Sequence, residues 1–186
     1  AERTELAQID SYDTFKNLGI GTNPGPKYKK IRVHMVYAVK HDGRHKARLV
    51  AGGYLTDTPI DSVYSSVVSL RGIRLLTFIA ELNQLEVWST DIGNAYLESR
   101  THEKVYIVAG PEFGERQGHS LLIYKALYGL KSSGLRWHER FSNVLQSMGF
   151  IQSKAKQDIW LRHQEDHYEY IAVYVDDLLI VSREPN

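Results

Sequence analysis

Residues 170–181 read YIAVYVDDLLIV, and this stretch decides the fold. Strand-forming residues flank two adjacent acids, which predicts strands at 168–175 and 178–181 with Asp176 and Asp177 at a two-residue turn between them. Carboxylates about 4 Å apart repel by roughly 1 kcal/mol in water and about 4 kcal/mol at an effective dielectric of 20. The pair therefore indicates either an ordinary acidic turn or a site for a divalent cation such as Mg²⁺, which prefers hard oxygen ligands.

A third aspartate stands at the end of another predicted strand. Residues 85–91 read LEVWSTD and precede the mixed segment IGNAYL at 92–97. If the two strand ends are adjacent, the carboxylates of Asp91, Asp176 and Asp177 could together hold two metal ions for phosphoryl transfer. Because Asp91 is a further acid at a strand end, it favours a metal site over an ordinary acidic turn.

The remaining pattern predicts a mixture of helices and strands. Residues 31–40 alternate, Asp42-Gly43 is a hairpin turn, and a second strand covers about 45–51. Ser69 caps a helix over about 70–83, which is apolar on several sides and is therefore expected to be deeply buried. A second helix covers about 134–148, with an apolar face of Trp137, Phe141, Val144, Leu145 and Met148. Further strands are predicted at 104–108, 120–124 and 158–163, whereas residues 1–30 show weak periodicity.

The composition excludes several classes of site and protein. The chain has no cysteine, so disulfides and thiolate metal sites are ruled out. It has no run of 18 apolar residues and starts with the charged segment AERTE, so we expect an intracellular, cytoplasmic protein with no membrane partner. Because 23 Lys and Arg balance 22 Asp and Glu, nucleic-acid binding would need a local basic patch. Basic residues do concentrate before residue 50, at Lys27, Lys29, Lys30, Arg32, Lys40, Arg44, Lys46 and Arg48.

Four segments, in order, resemble the reverse transcriptases of Ty1/copia-type retrotransposons. Residues 173–180, VYVDDLLI, resemble the YxDD box, and residues 91–97, DIGNAYL, are similar to the first catalytic-aspartate motif. Residues 46–51, KARLVA, resemble a segment of the fingers, and residues 125–131, KALYGLK, resemble a further motif, with Trp137 at the position of the aromatic beyond it. The resemblance covers nearly the whole chain, more loosely before about residue 31.

The resemblance implies an α+β fold, the fingers and palm of a right-hand polymerase. An antiparallel palm sheet would be backed by the helices at 70–83 and 134–148, with a β-hairpin fingers lobe before it. Residues 1–186 would form a partial reverse transcriptase domain. About 1–84 would be mainly fingers with one palm-associated helix, and about 85–186 mainly palm with some fingers contribution. Thumb and ribonuclease H regions are expected to be absent from this chain.

The resemblance also implies an activity, RNA-directed DNA polymerase, which adds deoxynucleotides to a primer 3′-hydroxyl. Two Mg²⁺ ions (or Mn²⁺) would be held by Asp91 and Asp176, with Asp177 as a supporting third carboxylate. The implied partners are an RNA or DNA template with its primer, deoxynucleoside triphosphates and the remainder of a polyprotein. The implied location is the cytoplasm, within virus-like particles. Two alternatives stay open, a non-catalytic nucleic-acid-binding module and an inactive retroelement relic.

Further residues receive roles from the same resemblance. Lys46 and Arg48, or Lys40, would contact the triphosphate, and Tyr96 would exclude a 2′-hydroxyl as a steric gate. The incoming nucleotide would lie beside Tyr128 and Gly129. Primer and template would be contacted by Tyr174 and Lys131. The chain departs from the family where Gly52 replaces a usual lysine and where Ser132-Ser133-Gly134 replace a polar residue, a small residue and a proline.

Overall fold

The computed structural model describes residues 1–56 and 66–184, and the expected α+β class is confirmed there. The helices are α1 (Glu2–Ser11), α2 (Leu70–Leu82) and α3 (Ser133–Ser147). The strands are β1 (Phe15–Ile20), β2 (Lys29–Lys30), β3 (Val33–Val39), β4 (His45–Ala51), β5 (Glu86–Asp91), β6 (Val105–Val108), β7 (His119–Ile123), β8 (Ile151–Gln152), β9 (Ile159–His163), β10 (Tyr168–Tyr174) and β11 (Asp177–Ser182). Short 3₁₀ helices cover Gly53–Leu55, Ala95–Glu98 and Pro111–Arg116. In the described ranges no helix is long and apolar enough to cross a membrane.

The chain divides into two compact units, each built from two separate segments. Unit 1 comprises Ala1–Val63 and Tyr96–Trp137. Its strands form a sheet in the order β1-β7-β6-β2 and a separate hairpin, β3-β4. The hairpin confirms the prediction from alternation and the Asp42-Gly43 turn, since Gly43 has a φ of +81° and the Arg44 N–H donates to the Asp42 carboxylate. α1 packs against β4, and Ile9 of α1 is buried in the core of this unit.

Unit 2 comprises Tyr64–Ala95 and His138–Asn186 and contains one antiparallel sheet in the order β5-β11-β10-β9-β8. Alternation along the strands sends side chains to opposite faces. Ala172 and Val181 share a core with Leu76 of α2, whereas Ile171 and Leu178 share a second core with Leu145 of α3. A helix therefore covers each face of this sheet.

The expected deep burial of α2 is wrong. Ser69 caps this helix as predicted, because its side chain accepts the Gly72 N–H, and Leu76 is 1% exposed. Leu75, Phe78 and Leu82, however, are 51%, 60% and 66% exposed. A helix that lies on one face of a sheet buries a single stripe, and apolar residues outside that stripe stay in contact with solvent. On α3, too, Leu145 is buried but Val144 is exposed, as is Met148 directly after the helix.

A cluster of polar side chains links the three central strands of unit 2. The largely buried Glu169 carboxylate of β10 accepts hydrogen bonds from Arg162 of β9 at 2.7 Å, from Gln164 at 2.9 Å and from Ser182 of β11 at 2.8 Å. Burial raises the pKa of this carboxyl, but the hydrogen bonds and the positive charge of Arg162 outweigh that effect. The pKa of Glu169 therefore lies below its ordinary value of 4.5.

We expect Glu169→Gln to lower the free energy of unfolding by about 1 kcal/mol at pH 7. Because the folded-state pKa is depressed, the stabilisation is present above the unfolded pKa and is lost as the pH falls through the folded value. The difference in Tm between wild type and variant should therefore narrow below about pH 4.5 when thermal unfolding is followed from pH 7 to pH 3. Glu165→Gln, at an exposed position, provides the matched control. A difference in Tm between wild type and Glu169→Gln that does not change with pH would contradict the prediction.

Candidate active site

Two of the three aspartates face each other across neighbouring strands of unit 2. β5 pairs with β11 in antiparallel register, and this register makes Asp91 and Asp177 direct partners. The Ile92 N–H donates to the Asp176 carbonyl at 2.8 Å, so the Asp91–Asp177 pair next to it is of the non-hydrogen-bonded kind. Side chains in such pairs are close, with Cβ atoms about 4.5–5.5 Å apart. The adjacency of the two strand ends that the sequence predicted is thus present.

The turn that carries Asp176 lies one residue earlier than predicted. Tyr174 pairs with Asp177, so the two turn residues are Val175 and Asp176, and Asp177 is the first residue of β11. Val175 has a φ of +59°, in the left-handed region that β-branched residues rarely adopt. Such a positive φ is what a tight two-residue hairpin turn requires, since it matches the twist of the flanking strands. Because valine favours strands, the sequence does not predict a turn at this residue.

The donor chemistry of the three aspartates suits magnesium, but their side chains do not form a closed cage. Within residues 1–56 and 66–184, no group of three histidine, aspartate or glutamate side chains is placed to hold a metal ion. Asp91 and Asp177 offer hard oxygen ligands on adjacent strands, with Asp176 next to them on the turn. Magnesium commonly takes one or two carboxylates and completes its octahedron with water and substrate phosphates. An open carboxylate pair fits that mode of binding.

In unit 1, a second group of predicted site residues comes together at the hairpin. The guanidinium carbon of Arg48 lies 4.8 Å from the centre of the Tyr128 ring, within cation–π range. The Tyr96 ring lies on the same tyrosine, with centroids 4.9 Å apart and planes inclined at 47°. Lys46 is exposed two residues before Arg48 on β4, so both cations project from the same face of the hairpin. We call Lys46, Arg48, Tyr96 and Tyr128 the cationic–aromatic cluster.

Close backbone packing fixes Tyr128 and Gly129 to the end of β4. The Ala51 N–H donates to the Tyr128 carbonyl at 2.7 Å. Gly129 has a φ of +90°, and a Cβ atom at this position would overlap the carbonyl oxygen of Ala51. A Cβ on Gly53 would likewise overlap the carbonyl of Gly129. Positions 53 and 129 therefore require glycine. The close backbone packing there holds the ring of Tyr128 beside Arg48.

Comparison with known proteins matches this chain to one family. A family model described as reverse transcriptase (RNA-dependent DNA polymerase) matches residues 18–186. The chain belongs to this family. Its reverse transcriptase domain is 29% identical over 196 residues to the retrovirus-related Pol polyprotein from transposon TNT 1-94 of Nicotiana tabacum, with 99% of this chain and 14% of that polyprotein covered.

Two further relatives support the same assignment. The reverse transcriptase domain is 32% identical over 146 residues to the retrovirus-related Pol polyprotein from transposon RE1 of Arabidopsis thaliana, covering 76% of this chain and 10% of the polyprotein. It is 34% identical over 97 residues to a putative transposon Ty5-1 protein of Saccharomyces cerevisiae, covering 51% of this chain and 32% of that protein. The resemblance to reverse transcriptases of Ty1/copia-type retrotransposons is thus confirmed. The chain spans 14% and 10% of the first two relatives.

The two residues expected to contact primer and template differ in their surroundings. Tyr174, the last residue of β10, is about half exposed beside the turn that bears Asp176. The Lys131 ammonium of this reverse transcriptase domain instead donates to the main-chain carbonyl of Thr56 at 2.6 Å and is partly buried. The ammonium has three N–H groups, so this hydrogen bond does not exclude a contact with nucleic acid, but Tyr174 is the more accessible of the two.

The departure from the family pattern after Lys131 has a structural explanation. Ser132 and Ser133 are each 2% exposed at the start of α3. The backbone N–H and hydroxyl of Ser132 both donate to one Glu103 oxygen, at 3.0 and 2.7 Å, and the Ser133 hydroxyl donates to the Leu127 carbonyl at 2.7 Å. In this reverse transcriptase domain, side-chain hydrogen bonds therefore fix the entry into α3, which the family commonly marks with a proline.

Proposed function

We propose that this chain catalyses RNA-directed DNA synthesis, the addition of a deoxynucleotide to the 3′-hydroxyl of a primer paired with an RNA or DNA template. The observation that carries the proposal is the cross-strand pair Asp91–Asp177, with Asp176 on the adjoining turn. Like charges opposite each other in a sheet are unfavourable unless a cation binds between them. Membership of the reverse transcriptase family supports the same chemistry.

The three aspartates would hold two Mg²⁺ ions, which Mn²⁺ could replace. When bound, such ions lower the pKa of the primer hydroxyl and neutralise charge on the triphosphate and the leaving pyrophosphate. The attacking group belongs to the primer, so the protein supplies no side-chain nucleophile. Asp91, Asp176 and Asp177 would hold and orient the ions, and the exposed ring of Tyr174 would pack on the primer end.

The cationic–aromatic cluster of unit 1 would bind the incoming nucleotide. Arg48 and Lys46 offer charge-assisted hydrogen bonds to phosphate, and stacking on Tyr128 restricts the guanidinium of Arg48 to a narrow set of orientations. Lys40, near the hairpin turn, is exposed and could contribute a third cation. Tyr96 packs on Tyr128 and would exclude a ribonucleotide by crowding its 2′-hydroxyl, while Gly129 allows close approach of the backbone.

We further propose that this activity operates within a longer polyprotein. The relatives that this chain matches are named as Pol polyproteins of transposons, and the chain spans a small part of them. Its fingers and palm regions, divided at about residue 84, would work there with thumb and ribonuclease H regions. Cytoplasmic virus-like particles are the proposed location.

Single-nucleotide extension of a labelled primer on an RNA template tests the proposal. We expect extension by wild type with Mg²⁺ and a loss of at least about 10³-fold in Asp176→Asn, because a carboxylate ligand becomes a neutral amide. Low salt and high protein concentration offset weak duplex binding. The surface variant Glu165→Gln should match wild type.

The same assay separates the alternatives. Metal-independent primer–template binding that Asp91→Asn leaves unchanged, without extension by wild type, would favour a non-catalytic nucleic-acid-binding module. Absence of both binding and extension would favour an inactive relic. Full extension by Asp176→Asn would show that the proposed metal site is not the catalytic one.

A further inference from the structure

A buried glutamate attaches α1 to the hairpin that carries the cationic–aromatic cluster. Glu5 is 8% exposed, and its Oε1 accepts a hydrogen bond from the backbone N–H of Leu49 on β4 at 3.0 Å. A carboxylate that is removed from water is costly unless its oxygens are hydrogen-bonded. Its burial against a strand edge therefore indicates a specific attachment between α1 and β4, at the residue next to Arg48.

The attachment lies on the edge of β4 that faces away from β3. The Gly52 N–H points toward β3 and donates to the Arg32 carbonyl at 2.8 Å, so alternation turns the N–H groups of Ala51 and Leu49 to the outer edge. Ala51 donates there to the Tyr128 carbonyl, and Leu49 donates to Glu5. The Glu5 contact at Leu49 is thus two residues nearer the hairpin turn than the Tyr128 contact at Ala51, in the direction of Lys46.

The same face of α1 also holds the other strand of the hairpin. The Tyr37 hydroxyl on β3 donates to Glu2 Oε2 at 3.0 Å, and this hydrogen bond raises the pKa of Tyr37 above 10.0. Glu2 and Glu5 are three residues apart, so they project from one side of the helix. One helix face therefore contacts both strands, which restricts the direction in which the hairpin extends.

We propose that Glu5 is a positioning residue for the triphosphate of the incoming nucleotide. By fixing the outer edge of β4, it holds Arg48 against Tyr128 and keeps Lys46 on the same side. Glu5 touches neither nucleotide nor metal and acts through the backbone of Leu49. The inference rests on the proposed function, because it assigns the hairpin cations to nucleotide binding.

Steady-state primer extension at varied dTTP concentration, with Mg²⁺, tests this role. We expect Glu5→Leu to raise the KM for dTTP about tenfold and to leave kcat within about twofold, because ground-state binding of the triphosphate is weakened. Glu5→Gln keeps an oxygen acceptor for the Leu49 N–H and should restore KM to within about twofold of wild type. The exposed residue Glu115 supplies the control, Glu115→Leu.

Tyr37→Phe provides a variant that removes the second attachment without burying or exposing a charge. Tyr37 is 63% exposed, so this variant should fold even if Glu5→Leu does not, and we expect a KM increase of about twofold to threefold. An unchanged KM in the folded variants, or a fall in kcat at constant KM, overturns the inference.

Equilibrium binding of fluorescent dTTP separates the inference from the proposed function. If wild type binds dTTP but does not extend a primer, the proposed activity fails, and weaker binding by Glu5→Leu or Tyr37→Phe still supports the positioning role. If the variants bind dTTP as tightly as wild type, the positioning role fails although extension stands. Absence of dTTP binding by wild type overturns both.

Discussion

Asp177→Asn is expected to abolish nucleotide addition while it makes the metal-free protein more stable. Asp177 lies opposite Asp91 in a close cross-strand pair, where two negative charges destabilise the sheet by up to about 1 kcal/mol. The amide removes this repulsion and keeps the size of the side chain. It also removes a proposed metal ligand, so extension should fall by at least about 10³-fold. Opposite effects on stability and on rate distinguish a metal ligand from a residue that only supports the fold.

Thermal unfolding with a chelator and primer extension with Mg²⁺ measure the two effects. Asp91→Asn removes the other half of the pair and should behave in the same way. Glu81→Gln, at an exposed position of α2 in the same unit, should change neither quantity. Loss of stability together with activity would instead assign Asp177 a structural role, and retained activity would remove it from the mechanism.

Gly129→Ala is expected to cost about 3 kcal/mol of folding stability or more, the largest stability effect that we anticipate from one methyl group. The φ of +90° is unfavourable for any residue with a Cβ atom, and the new methyl would overlap the carbonyl oxygen of Ala51. This oxygen belongs to the backbone of β4 and cannot rotate away. The expected result is a large shift in the urea midpoint, with weaker dTTP binding in the fraction that stays folded.

Gly118→Ala separates the two contributions to this cost. Gly118 has a similar φ of +80°, but no atom lies within 4 Å of the position that a Cβ would occupy. Only the backbone penalty of about 1–2 kcal/mol should appear there. Equal destabilisation by the two variants would mean that the overlap with β4 contributes nothing to the stability cost of Gly129→Ala.

Local patterns predicted α2, α3 and eight of the eleven described strands, because hydrophobic alternation and capping residues are local signals. The β3–β4 hairpin follows from five alternating apolar residues and the Asp42-Gly43 turn, and α2 from the Ser69 cap. The proximity of Asp91 to the Asp176–Asp177 pair was also predictable, since acids at the ends of two predicted strands favour a common explanation. That prediction required no knowledge of the register.

The features that sequence reasoning missed depend on contacts distant in the chain. α1 has few apolar residues, and its placement depends on Ile9 in the core and on the Glu5 hydrogen bond to Leu49, 44 residues away. Val175 gives no sign that it adopts a positive φ, because valine usually favours strands. Which side chains of α2 are exposed depends on which face of the helix packs against the sheet, and tertiary contacts decide that. No local pattern reveals that each unit combines two separate segments.

The order of strands in unit 2 also bears on how its site assembles during folding. β10 and β11 form a hairpin that can close within about 1–10 μs, because their residues are adjacent in sequence. β5 pairs with β11 across about 85 residues of chain, so this contact has high contact order and the larger loop-closure entropy. During synthesis, β5 leaves the ribosome well before its described partner exists. We therefore expect the three carboxylates to meet late, after β10 and β11 have already formed their hairpin.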